Sequence, residues 1–136
     1  MTQEEKDLLL KDLSCRLPYG VKAYVKHWSN LEWKYYENVY TVKSTFPSLN
    51  EVHVQSETGS VDVILGYPDY VIKPYLFPLE NMTEEQKLEL TTIKPYVSLN
   101  KNKEYLLFDW LNANHFDYRG LIPMGLAIDA TGLNIY

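Results

Sequence analysis

NEVHVQSETGSVDVILG, residues 50 to 66, decides the fold class of this chain. The runs NEVHVQSE and SVDVILG both alternate apolar and polar side chains, and they flank Thr58-Gly59, a two-residue connection in which glycine can adopt positive φ. The pattern predicts a β-hairpin with one buried face. A register that pairs Glu57 with Ser60 places all the valines inside. Its further pairs are Val54 with Val63 and Val52 with Leu65 on the inner side, and Gln55 with Asp62 and His53 with Ile64 on the outer side.

Two more strands are predicted before this hairpin. From Val21 the side chains alternate with a period of 2, which indicates a first strand. One face carries Val21, Ala23, Val25 and His27, and the other carries Lys22, Tyr24, Lys26 and Trp28. Residues 28 to 38, WSNLEWKYYEN, are predicted to form a long aromatic hairpin loop. Residues 39 to 46, VYTVKSTF, form a second strand that Pro47 interrupts.

The chain that follows the hairpin closes the β region. GYPDY, residues 66 to 70, predicts a turn, and the prolines of VIKPYLFPL, residues 71 to 79, suit an edge strand or an irregular exit. Four or five short antiparallel strands are too few for a sandwich. The sequence therefore predicts a small, SH3-like, partly open β-barrel over residues 21 to 76.

Three helices are predicted to flank this barrel, one before it and two after it. Thr2 and Glu5 form a capping box ahead of leucines at helical spacing, so a first helix covers residues 3 to 15. A second capping box, in residues 82 to 86, begins a polar helix that ends near Thr92. A third helix covers residues 103 to 114. The prediction is an α+β fold with a single domain, residues 1 to 136, in which the terminal helices cover the valines.

Composition excludes several classes of function. The 136 residues are 46% hydrophobic and 23% charged, as in an ordinary globular protein, and no apolar stretch approaches the ~20 residues of a membrane span. The acidic start MTQEEKDLLLKDL is unlike a secretory signal, so we expect a cytoplasmic location. The net charge of -5 argues against a protein whose main task is to neutralise phosphates, although residues 16 to 43 carry five basic residues against two acidic ones.

Motifs for cofactors and metals are not found. The six glycines are spread through turns, so no phosphate loop, dinucleotide fingerprint or nucleophile elbow is formed. His27, His53, His115 and the single cysteine, Cys15, lack metal-ligand spacing. We therefore expect no cofactor and no metal. His53 is expected to form a weak surface pair with Asp62, which lies diagonally across the predicted hairpin.

The segment NHFDYRGLIPMGLAID, residues 114 to 129, allows two interpretations. In the structural one, Asn114 ends the third helix in the left-handed conformation and the next two residues fold back over Trp110 and Leu111. Asp117 then caps the following turn, and Arg119 pairs with a carboxylate. In the alternative, a small-ligand or enzymatic site is built from His115, Asp117, Tyr118 and Arg119. Because adjacent side chains point apart and no nucleophile accompanies them, the structural interpretation is favoured.

Two surfaces remain as candidates for binding. The aromatic residues Trp28, Trp33, Tyr35 and Tyr36 favour a protein partner, because exposed tryptophan and tyrosine are typical of protein interfaces. The alternating face of Lys22, Tyr24, Lys26 and Trp28 is typical of single-stranded nucleic-acid binding, and it is the alternative. The acidic total charge favours the first, so we expect a non-enzymatic binding protein.

Three segments resemble a group of short proteins of gut Bacteroides-type bacteria and their phages. They are CRLPYGVK at 15 to 22, YVIKPYLFPLENMTEEQ at 70 to 86 and DWLNANHFDYRGLIPMGLAIDATG at 109 to 132. The resemblance implies a small cytoplasmic accessory protein encoded by a phage or prophage, acting by contact with a host or phage protein. It implies no activity for any residue.

Overall fold

A seven-stranded sheet with mainly antiparallel pairing lies at the centre of the computed structural model, which describes residues 1 to 136. Its strands are β1 (Lys22–Ser29), β2 (Lys34–Phe46), β3 (Glu51–Ser56), β4 (Gly59–Ile64), β5 (Tyr70–Pro78), β6 (Phe116–Asp117) and β7 (Ile128–Asp129). The helices are α1 (Gln3–Arg16), α2 (Glu84–Leu99) and α3 (Glu104–Ala113). The sheet is open, with the strand order β4-β3-β2-β1-β5-β6 and with β7 beside β5. The predicted α+β class is confirmed.

The hairpin of β3 and β4 is confirmed, but its predicted register is wrong. Ser56 pairs with Gly59, so the turn consists of Glu57 and Thr58. Since the pairing partner moves by two residues and side chains alternate with a period of 2, the inward set is unchanged. The valines and the leucine predicted to lie inside are buried: Val52, Val54, Val63 and Leu65. On the solvent face His53 lies directly opposite Asp62, and their Nδ1 and Oδ1 atoms are 2.6 Å apart.

The first hairpin is longer than predicted, because most of the expected loop at 28 to 38 is strand. β1 continues to Ser29, β2 begins at Lys34, and the turn between them is only four residues long. Trp28 pairs with Tyr35 across the two strands. Aromatic residues have high strand propensity and stabilise cross-strand pairs, so a dense aromatic segment indicates strand here rather than irregular loop.

β5 lies inside the sheet, so its prediction as an edge strand or irregular exit is wrong. Its first half is antiparallel to β1, and the last pair joins Ala23 to Pro74. Proline has no N–H for a ladder, and from Tyr75 onward β5 pairs instead with β7 and β6, both in parallel. Those two short strands were not predicted, because two residues are too few to show a sequence period.

The core lies between the inner face of the sheet, α1 and the C-terminal segment. The capping box of Thr2 and Glu5 is present, and α1 buries Leu9, Leu10 and Leu13 against the valines. The other cover is Leu121, Leu126 and Ala127 from the last part of the chain. The prediction that helices from both termini cover the valines is therefore right for α1 and wrong for α2 and α3.

The two C-terminal helices pair with each other at the periphery. α2 begins at its predicted capping box but continues through Pro95 to Leu99, and none of its residues is buried. α3 matches its predicted bounds to within one residue at each end. The Trp110 Nε1 group donates to Glu89 Oε2 at 3.0 Å and joins the two helices. None of the helices has the length and apolarity that crossing a bilayer requires.

Candidate functional site

The end of the β1–β2 hairpin carries an exposed cluster of aromatic rings. We call Trp28, Trp33, Tyr35 and Tyr36 the aromatic surface. Trp33 is 78% exposed and Tyr35 is 45% exposed. The Trp28 ring contacts both of them edge-on, with centroids 4.9 Å from Tyr35 and 6.1 Å from Trp33. Three large rings are thus held together in contact with solvent.

Tyr36 lies on the opposite face of the hairpin from Tyr35. Its ring stacks on His27 at 5.8 Å, and the Lys34 Nζ atom lies 4.8 Å from its centroid. Burial lowers the pKa of His27, which favours the neutral form of the ring that stacks on Tyr36. The hairpin end therefore presents aromatic rings on both faces.

Trp33 has an unusual backbone conformation. Its φ of 54° lies in the left-handed region, which costs a non-glycine residue about 1–2 kcal/mol. The turn that holds it is closed by a hydrogen bond of 2.8 Å from the Trp33 N–H to the Ser29 carbonyl. Strained backbone is concentrated at binding sites, where the surrounding structure maintains it. This left-handed turn carries the most exposed ring of the aromatic surface.

The charges around the aromatic surface are balanced. Lys26 Nζ lies 3.8 Å from Glu37 Oε1 and 4.7 Å from the centroid of the Tyr35 ring. Lys34 Nζ lies 3.5 Å from Glu32 Oε2. Each lysine at the hairpin end therefore has a carboxylate partner, and the aromatic surface has no net charge.

The alternating face of Lys22, Tyr24, Lys26 and Trp28 is formed on the outer side of the sheet, as its period predicts. Its cations are occupied, however. Lys22 Nζ donates to the Ile135 carbonyl at 3.0 Å, and Lys26 is paired with Glu37. Burial, and then a hydrogen bond to Glu37, raises the pKa of the Tyr24 hydroxyl. The face offers stacking rings but few free positive charges.

His115 lies apart from the other residues of the predicted ligand site. It, and not Asn114, takes the left-handed conformation, with a φ of 60°. Its ring stacks on Tyr136 with centroids 3.6 Å apart, whereas the next residue, Phe116, stacks on Trp110 as the structural interpretation predicts. Burial, and then the positive charges of Arg16 and Lys22, lowers the pKa of His115 to about 4.

Asp117 and Arg119 have the contacts expected in the structural interpretation. The Asp117 carboxylate accepts the backbone N–H groups of Leu121 and Ile122, both at 2.9 Å, and caps the turn. Arg119 pairs with Asp12 of α1, with 3.2 Å between Nε and Oδ1. Of the four predicted ligand-site residues, the structure brings only Tyr118 and Arg119 together at one cleft.

Sequence reasoning missed a buried ion cluster of Asp12, Arg16 and Arg119. Asp12 and Arg16 are fully buried, and their side chains form two hydrogen bonds of 2.8 and 3.1 Å. Arg16 Nη2 also donates to the Phe116 carbonyl at 2.6 Å. A signal was present in the sequence, because Asp12 and Arg16 stand at i and i+4 on the same helical stripe as Leu9 and Leu13.

No group of three or more histidine, cysteine, aspartate or glutamate side chains is arranged to hold a metal ion. A scan against protein-family models and searches of curated proteins and of solved structures found no match to this chain.

Proposed function

We propose that this protein is a non-enzymatic binding protein that holds a partner protein through its aromatic surface. One observation carries the proposal: Trp33 and Tyr35 are exposed to solvent although both contact Trp28 edge-on. Tryptophan and tyrosine dominate the binding energy of protein interfaces. Rings that are already ordered lose less entropy on binding than free side chains do.

The charge balance supports a protein partner over a polyanion. Nucleic-acid binding depends on cations that are free to replace counterions at phosphates. Here Lys26 and Lys34 each lie beside a glutamate, and Lys22 is bound to a backbone carbonyl. An uncharged aromatic surface fits the apolar centre of a protein interface with a polar rim.

We also propose that the partner is a protein of a host bacterium or a phage and that the setting is cytoplasmic, as the resemblance of three segments implies.

The sheet is proposed to be a partly open barrel of the SH3-like kind. Support for this comes from an apolar pocket of about 210 Å³ that β4 and β5, which are not paired with each other, both help to line. Val63 and Leu65 line it from one side, and Tyr70 and Ile72 line it from the other.

The test compares two double variants with the wild type. Trp33→Ala with Tyr36→Ala removes rings from the aromatic surface, whereas Phe46→Ala with Tyr67→Ala removes two other exposed rings and is the matched control. Each tagged protein is incubated with host lysate, and bound proteins are identified by mass spectrometry. We expect one partner to bind the wild type and the control and to be lost from the first variant, because a central aromatic residue contributes about 2 kcal/mol or more.

Circular dichroism first establishes that both variants are folded. Equal capture of the same proteins by all three chains would refute the proposal. A parallel measurement uses fluorescence anisotropy with a labelled single-stranded oligonucleotide at low salt. Tight binding that falls steeply with salt and needs Lys22 and Lys26 would replace the protein partner with nucleic acid.

A further inference from the structure

A cleft of about 510 Å³ lies between α1 and α3 and shares no residue with the aromatic surface. Lys11 and Cys15 line it from α1, and Phe108 and Asn112 line it from α3. Tyr118 and Arg119 complete the wall. The cleft is large enough for a small organic molecule.

The side chains of this wall form a chain of hydrogen bonds from Arg119 through Tyr118 to Asn112, and two N–H groups remain without an acceptor. Arg119 donates from Nε to Asp12 Oδ1 at 3.2 Å and from Nη2 to the Tyr118 hydroxyl at 3.4 Å. The Tyr118 hydroxyl donates in turn to Asn112 Oδ1 at 2.8 Å. Arg119 Nη1 and Asn112 Nδ2 then have no protein acceptor, and both atoms keep some exposure to solvent. A ligand with acceptor oxygens could accept hydrogen bonds from both of these donors.

The charges at the cleft favour a ligand with one negative charge. Arg16 and Arg119 share the single carboxylate of Asp12, which leaves one excess positive charge. Arg16 is fully buried and does not line the cleft, so Arg119 is the member of the pair that a ligand can reach. Lys11 and Asp109, also at the cleft, have opposite charges. A carboxylate matches both the excess charge and the planar geometry of a guanidinium.

The remaining wall is aromatic. Phe108 is 44% exposed, and its ring centroid lies 5.4 Å from that of Tyr118. We propose that this cleft binds a small aromatic carboxylate, with the carboxylate on Arg119 and Asn112 and the ring against Phe108 and Tyr118. This site goes beyond the proposed function, because neither site requires the other.

Cys15 provides the readout, because it is the only cysteine, it is an exposed residue, and its Sγ lies 3.6 Å from Arg119 Nη2. The probe is 3-phenylpropanoate, and its controls are the neutral amide 3-phenylpropanamide and the ring-free propanoate. The rate of Cys15 alkylation by iodoacetamide is followed by mass spectrometry. We expect millimolar 3-phenylpropanoate to slow alkylation severalfold and both controls to have little effect. No protection by 3-phenylpropanoate, or equal protection by the amide, would overturn the proposal.

A variant pair tests the aromatic wall by calorimetry. Phe108→Ala removes the ring at the cleft, and Phe46→Ala is a matched control with the same 44% exposure elsewhere on the chain. We expect Phe108→Ala to weaken binding of 3-phenylpropanoate about threefold to tenfold, as the loss of an aromatic contact implies, and Phe46→Ala to bind like the wild type. Equal affinity of both variants would contradict the proposed position of the ring. Substitution of Arg119 by glutamine would also break its ion pair with Asp12 and could unfold the chain. The comparison with the neutral amide therefore tests the anion contact on the wild-type protein.

Discussion

Replacement of Asp12 by asparagine removes the only negative charge from the buried ion cluster. The Asp12 carboxylate accepts two hydrogen bonds from Arg16 and one from Arg119. Asparagine has nearly the same volume, so packing is conserved while the charge is lost. The Arg16 guanidinium then stays fully buried without a carboxylate to balance its charge, and the asparagine amide offers it only one acceptor oxygen beside the Phe116 carbonyl. Removing one partner of a buried ion pair costs about 3–5 kcal/mol.

That loss is large against the total stability of a single domain, which is about 5–15 kcal/mol. For a chain of 136 residues we expect the midpoint of thermal unfolding to fall by about 10–18 °C. The assays are thermal unfolding and urea unfolding at pH 7, both monitored by tryptophan fluorescence and circular dichroism. The denaturant slope should stay unchanged, because the same surface is exposed on unfolding.

Two controls separate the buried charge from other effects. Asp7→Asn changes an exposed carboxylate on the same helix, and it should alter the free energy of unfolding by less than about 0.5 kcal/mol. The double variant Asp12→Leu with Arg16→Leu removes both buried charges, so it should be more stable than Asp12→Asn alone. If Asp12→Asn lost no more stability than Asp7→Asn, the inference of a strongly coupled buried cluster would be wrong.

Two further predictions concern the contact between His115 and the C-terminus. Burial lowers the pKa of His115 from its ordinary 6.5 to about 4, so the unfolded chain takes up a proton first and stability is lost as the pH falls through this window. Asparagine tolerates the positive φ at position 115. Between pH 6.5 and 4, His115→Asn should therefore lose less free energy of unfolding than the wild type does, by about 1–2 kcal/mol after allowance for partial exposure. If the free energy of unfolding plotted against pH were parallel for the two chains, this prediction would be wrong. Tyr136→Phe removes a hydroxyl that accepts from the Lys22 N–H at 3.0 Å and donates to the Tyr75 carbonyl at 2.7 Å. Urea unfolding should show a loss of about 1–2 kcal/mol, and amide exchange at Lys22 should accelerate; unchanged values would exclude a structural role for the hydroxyl.

The candidate surfaces differ in how far spacing alone could predict them. The period of β1 correctly assigned Lys22 and Lys26 to one face, because side-chain direction along a strand is a local property. The hydrogen bond from Lys22 to the carbonyl of Ile135 is not a local property, since the two residues are 113 positions apart. The charge available on that face therefore could not be read from the strand itself.

The sequence by itself determined the local elements of this protein. Capping boxes at Thr2 and Thr83 located the starts of two helices, and the period of 2 in residues 50 to 66 assigned Val54 and Val63 to the inner face even where the register was wrong. These features depend on backbone geometry over a few residues, which spacing encodes directly.

Tertiary structure alone decided which distant elements meet. It placed β5 between β1 and the two short C-terminal strands, and it brought Arg119 to Asp12 from 107 residues away. The cleft between α1 and α3 and the buried charge beside it follow from that meeting. Contacts of this kind depend on how whole faces pack to exclude water, and the free energy of that packing is shared among many residues across the chain.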